Sequence, residues 1–448
     1  MMVDFFMAAL RASPEHEAVV SSDFSVTFAE LTELIERYSA WLDDNGLPAG
    51  SVVSFSGDYS PGAIALLMAL AGKRHIVIPL SRDSRQHFVE FREIGETEYD
   101  IVVNGTVLEL TKTDRQANHP LYQQLRDAAQ PGLVLFSSGS TGKSKAIVQN
   151  LEKLMAKFRQ SRKAMRMLIF LQLDHIGGVN SLLYSLANKG TVIVSDARTP
   201  DKVCDAVERF RAEVLPTSPT FLNLLLLSKA YERFDLSSLK LITYGTEPMQ
   251  ESTLESLSQV LPDATLQQTY GLSEVGILRS KSRSSDSLWM KVGGEEFQTK
   301  IVDGTLRVKA DSGMLGYLNA PSPFDEDGYL DTGDMVEQDG EWIRILGRAS
   351  EIINVGGLKV YPAEVESVLL DMPGVEDVVV YGADHAITGK IVCAKFKLAE
   401  ELPLRELKKQ VLGHCKGKLA SYKVPSKILI TQDDTFNQRF KRMRRETV

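Results

Sequence analysis

Short apolar runs rich in β-branched residues alternate with amphipathic segments through the first half of the chain, and this alternation constrains the fold more than any other feature. The stretches 51-SVVSFSG-57, 75-HIVIPL-80, 133-LVLF-136, 145-KAIVQ-149, 191-TVIVS-195, 213-EVLPT-217 and 239-LKLITYG-245 read as strands. A helix is expected near 61–72. Thr27 with Glu30 (T-F-A-E) forms a capping box that opens a second helix ending near Asn45-Gly46. Repeated β-α units predict an α/β fold, a large N-terminal domain of helix-covered, mostly parallel sheets. In such folds ligands sit at the carboxyl ends of strands, on loops rich in Gly and Ser. After about residue 300 turn signals dominate, with 302-VDGT-305, 325-DEDG-328 and 338-QDGE-341 as hairpin candidates. The remainder reads as a small α+β domain: helices at 361–372 and 402–422, strands at 375–382 and 391–398. The expected domains are therefore 1–347 and 348–448, with no internal repeat or flexible linker.

A chain of 448 residues has ample length for more than one core. Its net charge of -8 gives no overall pointer to nucleic acid, although 439-RFKRMRR-445 is a local basic run. Taken alone, that run suits either a nucleic-acid or localisation patch or a solvated charged end. Cys204, Cys393 and Cys415 are unpatterned, which argues against disulfides or zinc and fits a reducing compartment. The N-terminus lacks a basic region before its apolar residues, and 62-GAIALLMALAG-72 and 221-FLNLLLL-227 are too short to span a bilayer. A cytoplasmic protein without a membrane span is expected.

The most distinctive local stretch is 133-LVLFSSGSTGKSKAIVQN-150. Gly142-Lys143-Ser144 spells the tail of a Walker A motif, but Ser137 stands where its first glycine belongs. A Walker A loop opens into a helix, whereas 145-KAIVQN-150 reads as a second strand with the helix starting only near Leu151. The loop then joins two strands. Its hydroxyls and the amides of Gly139 and Gly142 suit a phosphate, and a plain polar hairpin remains the alternative.

The stretch Ser137-Ser138-Gly139-Ser140-Thr141-Gly142-Lys143-Ser144-Lys145-Ala146 resembles the phosphate-binding signature of the adenylate-forming superfamily, which includes acyl-CoA and aryl-CoA synthetases. Lys145, not Lys143, holds the family's lysine position, so Lys143 is expected to be replaceable. Further segments follow in the family's order: 244-YGTEP-248, 269-TYGLSE-274, 329-YLDTGD-334, 347-GRASEIINVGGLKVYPAEVE-366 and 419-LASYKVP-425. The resemblance implies that Gly245, Thr246 and Glu247 lie along adenine, with Tyr270 and Gly271 beside them. It implies that Ser273 contacts phosphate, Glu274 helps hold Mg²⁺, and Asp334 and Arg348 meet the ribose. It also makes Ser350 the hinge of a mobile C-terminal domain, places Gly356 and Gly357 along the thiol's path, and aligns Lys441 with the catalytic lysine. Without the resemblance the same residues suit plainer roles: a surface glutamate at 274, a turn-forming aspartate at 334, a structural ion pair at Arg348.

The implied reaction uses ATP, Mg²⁺ and coenzyme A: a carboxylic acid becomes an acyl-adenylate, then a thioester. Lys441 would neutralise charge in the first step. Within 171-LQLDHIGGVN-180, His175 matches a histidine that the family keeps near the substrate carboxylate; a packed core histidine is the alternative. His175 stands where amino-acid-activating relatives carry aspartate, which favours a plain fatty or aryl acid. Asp174, one residue away, keeps an amino acid open. The chain stops at Val448, shortly after Arg444, which reads as a stand-alone enzyme. Alternatives are transfer to a carrier-protein thiol or an amine, a nucleotide-binding paralogue without turnover, and a P-loop kinase. The joint presence of Lys145, Glu274, Asp334, Arg348 and Lys441 argues against the paralogue, and Ser137 against the kinase.

Overall fold

The helix Pro61–Gly72 is apolar on every face, and every one of its residues from Pro61 to Ala71 is buried. A helix of that kind needs cover on all sides, and the architecture supplies it. The structure is a computed structural model that describes residues 2–138, 144–437, 440 and 442–444. Gly139, Ser140, Thr141, Gly142, Lys143 and Lys441 therefore lie outside the described residues.

Two seven-stranded sheets flank a helical layer. The first runs in the order Thr265–Gln268, Leu241–Tyr244, Val214–Thr217, Met167–Leu168, Val192–Ile193, Glu17–Val20 and Ser25–Thr27. It is parallel except for the last pair. The second runs Gly316–Tyr317, Ser144–Asn150, Gly132–Ser138, Ile76–Leu80, Val52–Ser56, Tyr99–Asn104 and Val107–Lys112, parallel at its centre and antiparallel at both edges. One continuous core joins Val19, Val192 and Val214 of the first sheet, Val53, Val77 and Leu135 of the second, and the helices Met2–Arg11, Phe28–Asp44, Pro61–Gly72 and Ile176–Ala187 between them. The expected capping box is present: Thr27 Oγ1 accepts from the Glu30 amide at 3.2 Å, and Glu30 accepts from the Thr27 amide at 2.7 Å.

The turn-rich region becomes a six-stranded antiparallel sheet containing Leu330–Asp339 and Trp342–Arg348. Asp303-Gly304 and Asp339-Gly340 turn its hairpins, and Asp325–Gly328 closes a third turn. Beyond it, Ile353–Val355, Leu358–Val360, Val375–His385, Gly389–Leu398 and Lys427–Ile430 form a five-stranded sheet with a core of its own around Val365, Val380, Phe396 and Val411. The helix expected over 402–422 is shorter, Leu404–Cys415, because Gly417 takes a φ of +78° and stops it. Among the described residues no helix is long and apolar enough to cross a membrane.

Removing the cap by Thr27→Ala should cost about 1 kcal/mol, read as a lower denaturation midpoint with unchanged secondary structure by circular dichroism.

Candidate functional site

The strands Gly132–Ser138 and Ser144–Asn150 pair antiparallel, with Ser137 opposite Lys145 and Ser138 opposite Ser144. Strand alternation and the antiparallel register bring Lys145 back beside Ser137. Asn319 fixes the returning strand: its Oδ1 accepts from the Ala146 amide at 3.0 Å and its Nδ2 donates to the Ser144 carbonyl at 2.8 Å. The neighbouring edge strand Gly316–Tyr317 pairs with the same strand, which puts the Tyr317 ring 5.0 Å from the Lys145 ammonium. Tyr317 O–H in turn donates to Glu274 Oε1 at 2.8 Å. Burial first, and then the Glu274 carboxylate, raise the Tyr317 pKa, so the phenol stays protonated as a donor.

Ser273 and Glu274 sit at the tip of a short hairpin between Gly271–Leu272 and Gly276–Ile277. Gln149 Nε2 donates to the Ser273 carbonyl at 2.5 Å, tying that tip to the strand that leaves the phosphate-loop candidate. Tyr270, at the base of the hairpin, donates from its hydroxyl to Asp334 Oδ2 at 2.6 Å. Across the antiparallel pair, Asp334 and Arg348 are directly opposite, and Arg348 Nε meets Asp334 Oδ1 at 2.7 Å. Arg348 also donates to the Thr332 carbonyl at 3.1 Å. The charge of Arg348 reaches both Tyr270 and Tyr317, so the two tyrosine–carboxylate pairs share one neighbourhood.

Gly245 closes another side. A Cβ there would lie 2.7 Å from Thr269 Oγ1 and 2.8 Å from the Thr269 carbonyl oxygen, so only glycine allows the loops after Leu241–Tyr244 and Thr265–Gln268 to touch. Thr246 follows in the left-handed region, φ +75°. Glu247 faces two ways: it accepts from the Thr220 amide at 2.8 Å and from the Arg442 amide at 3.2 Å. His175 is the N-cap of Ile176–Ala187, its Nδ1 accepting from the Gly177 amide at 3.0 Å. That contact places the proton of the neutral ring on Nε2. Asp174 is buried and accepts from Ser81 Oγ at 2.7 Å and Ser84 Oγ at 2.8 Å. Ser350 lies in the single turn Ala349–Glu351 that leaves the Arg348 strand. Gly356 and Gly357, φ +59° and +89°, form the hairpin turn between Ile353–Val355 and Leu358–Val360.

The basic tail is the largest departure from a solvated end. Arg442 is only 2% exposed and pairs with Asp377 at 2.9 Å. Arg444 bonds Glu366 through Nε at 3.0 Å and Nη2 at 2.8 Å, and Glu351 through Nη1 at 2.7 Å. Phe440, φ +53°, packs its ring against Phe170, Phe221 and Phe436 and under the Arg198 guanidinium. A bulky residue in the left-handed region costs roughly 1–2 kcal/mol, which this aromatic packing offsets. The chain neighbours of Lys441 are thus seated on the N-terminal unit, beside Glu247. Tyr317, Gln149, Phe440 and the carboxylates Asp377 and Glu366 were missed from sequence. An aromatic residue in the slot before the lysine, where the family carries glycine, was the one available signal.

The family model described as AMP-binding enzyme matches residues 6–317, and that of the AMP-binding enzyme C-terminal domain matches 364–439. Acyl-CoA synthetase 7 of Caenorhabditis elegans is 30% identical over 324 residues, 64% of this chain and 59% of that protein. Indoleacetate–CoA ligase of Aromatoleum aromaticum is 26% identical, covering 94% of this chain and 92% of the relative. A crystal structure of an anthranilate CoA ligase with anthranoyl-AMP shares the fold, with a TM-score of 0.81 at 19% identity over 96% of this chain and 93% of that one.

Replacing Glu366 by Gln should destabilise the C-terminal unit by about 3–5 kcal/mol, since Arg444 would stay buried with its main partner gone. Burial pushes the Glu366 pKa up, but the Arg444 and Arg442 guanidiniums outweigh this and hold it below the usual range. The stabilisation is therefore complete above the unfolded value of about 4.3 and disappears as pH falls through the lower folded value. Thermal melts of both proteins between neutral and acid pH should converge only at the acid end.

Proposed function

The chain belongs to the family of AMP-binding enzymes, and from that premise we propose that it is an ATP-dependent ligase joining a small carboxylic acid to coenzyme A. The observation that carries this reading is that Lys145, paired across from Ser137, lies by Tyr317, which holds Glu274, in the neighbourhood of the Asp334–Arg348 pair. A cation, a carboxylate suited to a metal and a carboxylate suited to vicinal hydroxyls match triphosphate, magnesium and ribose in turn. The CoA-ligase names of the relatives that cover most of the chain support the second half-reaction.

Among the described residues no group of three or more His, Cys, Asp or Glu side chains is placed to hold a metal ion. Mg²⁺ commonly takes one or two carboxylates plus substrate phosphates and water. A lone Glu274 fits an ion that arrives with the triphosphate. Tyr317 orients that carboxylate, and the bound ion would neutralise charge between phosphate oxygens. Asp334, held by Tyr270 and Arg348, would accept from the ribose hydroxyls. Gly245, Thr246, Glu247, Tyr270 and Gly271 would flank adenine, with Ser137 to Gly142 on the phosphates and Ser273 beside them.

In the first step a carboxylate oxygen attacks the α-phosphorus and the bond to pyrophosphate breaks. Lys441 balances the developing charge and His175 orients the acid from Nε2. In the second, a thiol sulfur attacks the acyl carbon and AMP leaves. Asp174 is already engaged by Ser81 and Ser84, which weighs against an α-ammonium partner and for a plain acid. The C-terminal domain, 348–448, would rotate about Ser350 between steps, bringing Gly356 and Gly357 to the thiol's path.

Pyrophosphate release from ATP should require an added carboxylic acid, and thioester should form only when CoA is also present; release without acid, or ADP as product, would contradict the reading. Lys441→Ala should lose adenylation by about a hundredfold or more while still making thioester from supplied acyl-AMP. Ser350→Pro should do the reverse, keeping pyrophosphate release and losing thioester formation in a stopped-flow comparison.

A further inference from the structure

The residue before Lys441 is at odds with its own backbone. Phe440 takes a φ of +53°, a region that glycine enters freely and that strains a bulky side chain. Glycine is also what the resembling family carries in this slot. A ring kept there against that strain is held by its surroundings.

Those surroundings are specific. Phe436 pairs with Arg442 across an antiparallel bridge, the Met443 amide donates to the Thr435 carbonyl at 2.8 Å, and the Phe440 amide donates to the Asn437 carbonyl at 2.9 Å. These bonds set Phe440 at the tip of a turn, its ring stacked on Phe436 with centroids 5.6 Å apart. From there the ring reaches the N-terminal unit. Its centroid lies 5.2 Å from that of Phe170 and 5.9 Å from that of Phe221, and both of those rings are buried. The Arg198 guanidinium covers Phe440 and Phe170 together, 5.3 and 5.8 Å from their centroids. Asp83 ion-pairs with Arg198 and fixes the cation over the rings. Two residues past Phe440, the Arg442 amide donates to Glu247 at 3.2 Å. Lys441 therefore stands in the chain between two contacts with the N-terminal unit, one on either side.

The anchor is also built on the acid side of the proposed site. Asp83 lies between Ser81 and Ser84, whose hydroxyls both donate to Asp174. Phe170 stands just before the segment that carries Asp174 and His175. The docking point of the tail and the wall proposed to orient the acid thus share the same two stretches of chain.

We propose that Phe440 and Arg198 form a latch that sets which half-reaction the site performs. With the ring seated, Lys441 is positioned for adenylation; with the ring withdrawn, the C-terminal unit is free to turn toward thioester formation. Both are positioning residues, acting through Lys441. This rests on the ligase reading and adds a control of the same site.

The test uses the full chain with Phe440→Gly and Phe440→Asn. Both replacements suit the left-handed backbone and remove the ring. Each should lower kcat for acid-dependent pyrophosphate release by on the order of a hundredfold, with KM for ATP little changed. Thioester formation from supplied acyl-AMP should be kept, which also reports a folded protein. Arg198→Met should lower the same kcat, and the double variant should be little worse than Phe440→Gly alone, because both changes break one contact. Undiminished pyrophosphate release in both Phe440 variants, or equal loss of the two half-reactions, would overturn the latch and leave the ligase reading standing. Full additivity would overturn the part given to Arg198. Pyrophosphate release by the natural protein that needs no acid would overturn the latch and the ligase reading together.

Discussion

A guanidinium cannot stay in a protein interior without carboxylates around it, and two arginines of the C-terminal tail are held there. Arg442 meets Asp377 and Arg444 meets Glu366 and Glu351, so the tail is folded into the C-terminal unit instead of trailing from it. The Arg442 amide then donates to Glu247 and Phe440 enters the aromatic cluster of the N-terminal unit. Everything that depends on the tail, including the delivery of Lys441 in the proposed first step, depends on those ion pairs. Among the described residues the tail's contacts with the N-terminal unit include that amide hydrogen bond and the Phe440 ring under Arg198.

The site itself follows a repeated device. Each carboxylate that the proposed chemistry needs is aimed by a tyrosine: Asp334 by Tyr270, Glu274 by Tyr317. In both cases burial and the carboxylate keep the phenol protonated, so the hydroxyl orients the acid without competing for its charge. Both tyrosines lie near Arg348, which spreads one positive charge over the pair. Hydrogen bonds of this kind fix where each carboxylate points.

Local signals carried well from sequence to structure. Thr27-x-x-Glu30 capped its helix, the Asp-Gly pairs at 303–304 and 339–340 turned their hairpins, and 145-KAIVQN-150 was a strand, which removed the Walker reading of Gly142-Lys143-Ser144. What was not legible depended on distant partners. Tyr317 reaches Glu274 only because an edge strand pairs beside the phosphate-loop hairpin. Arg442 and Arg444 looked like a solvated run because their carboxylates lie 65 to 93 positions away in the chain. Glu17–Val20 and Met2–Arg11 were unclaimed, the first because a four-residue strand beside Val192–Ile193 has little periodicity to read.

The central claim is that a carboxylate oxygen of the substrate becomes bonded to the α-phosphorus of ATP. Turnover with a substrate acid labelled with oxygen-18 in its reacting carboxylate, followed by mass spectrometry of the nucleotide product, tests this directly. One labelled oxygen should appear in AMP and none in pyrophosphate. Label in inorganic phosphate alongside ADP, or AMP free of label, would contradict the account.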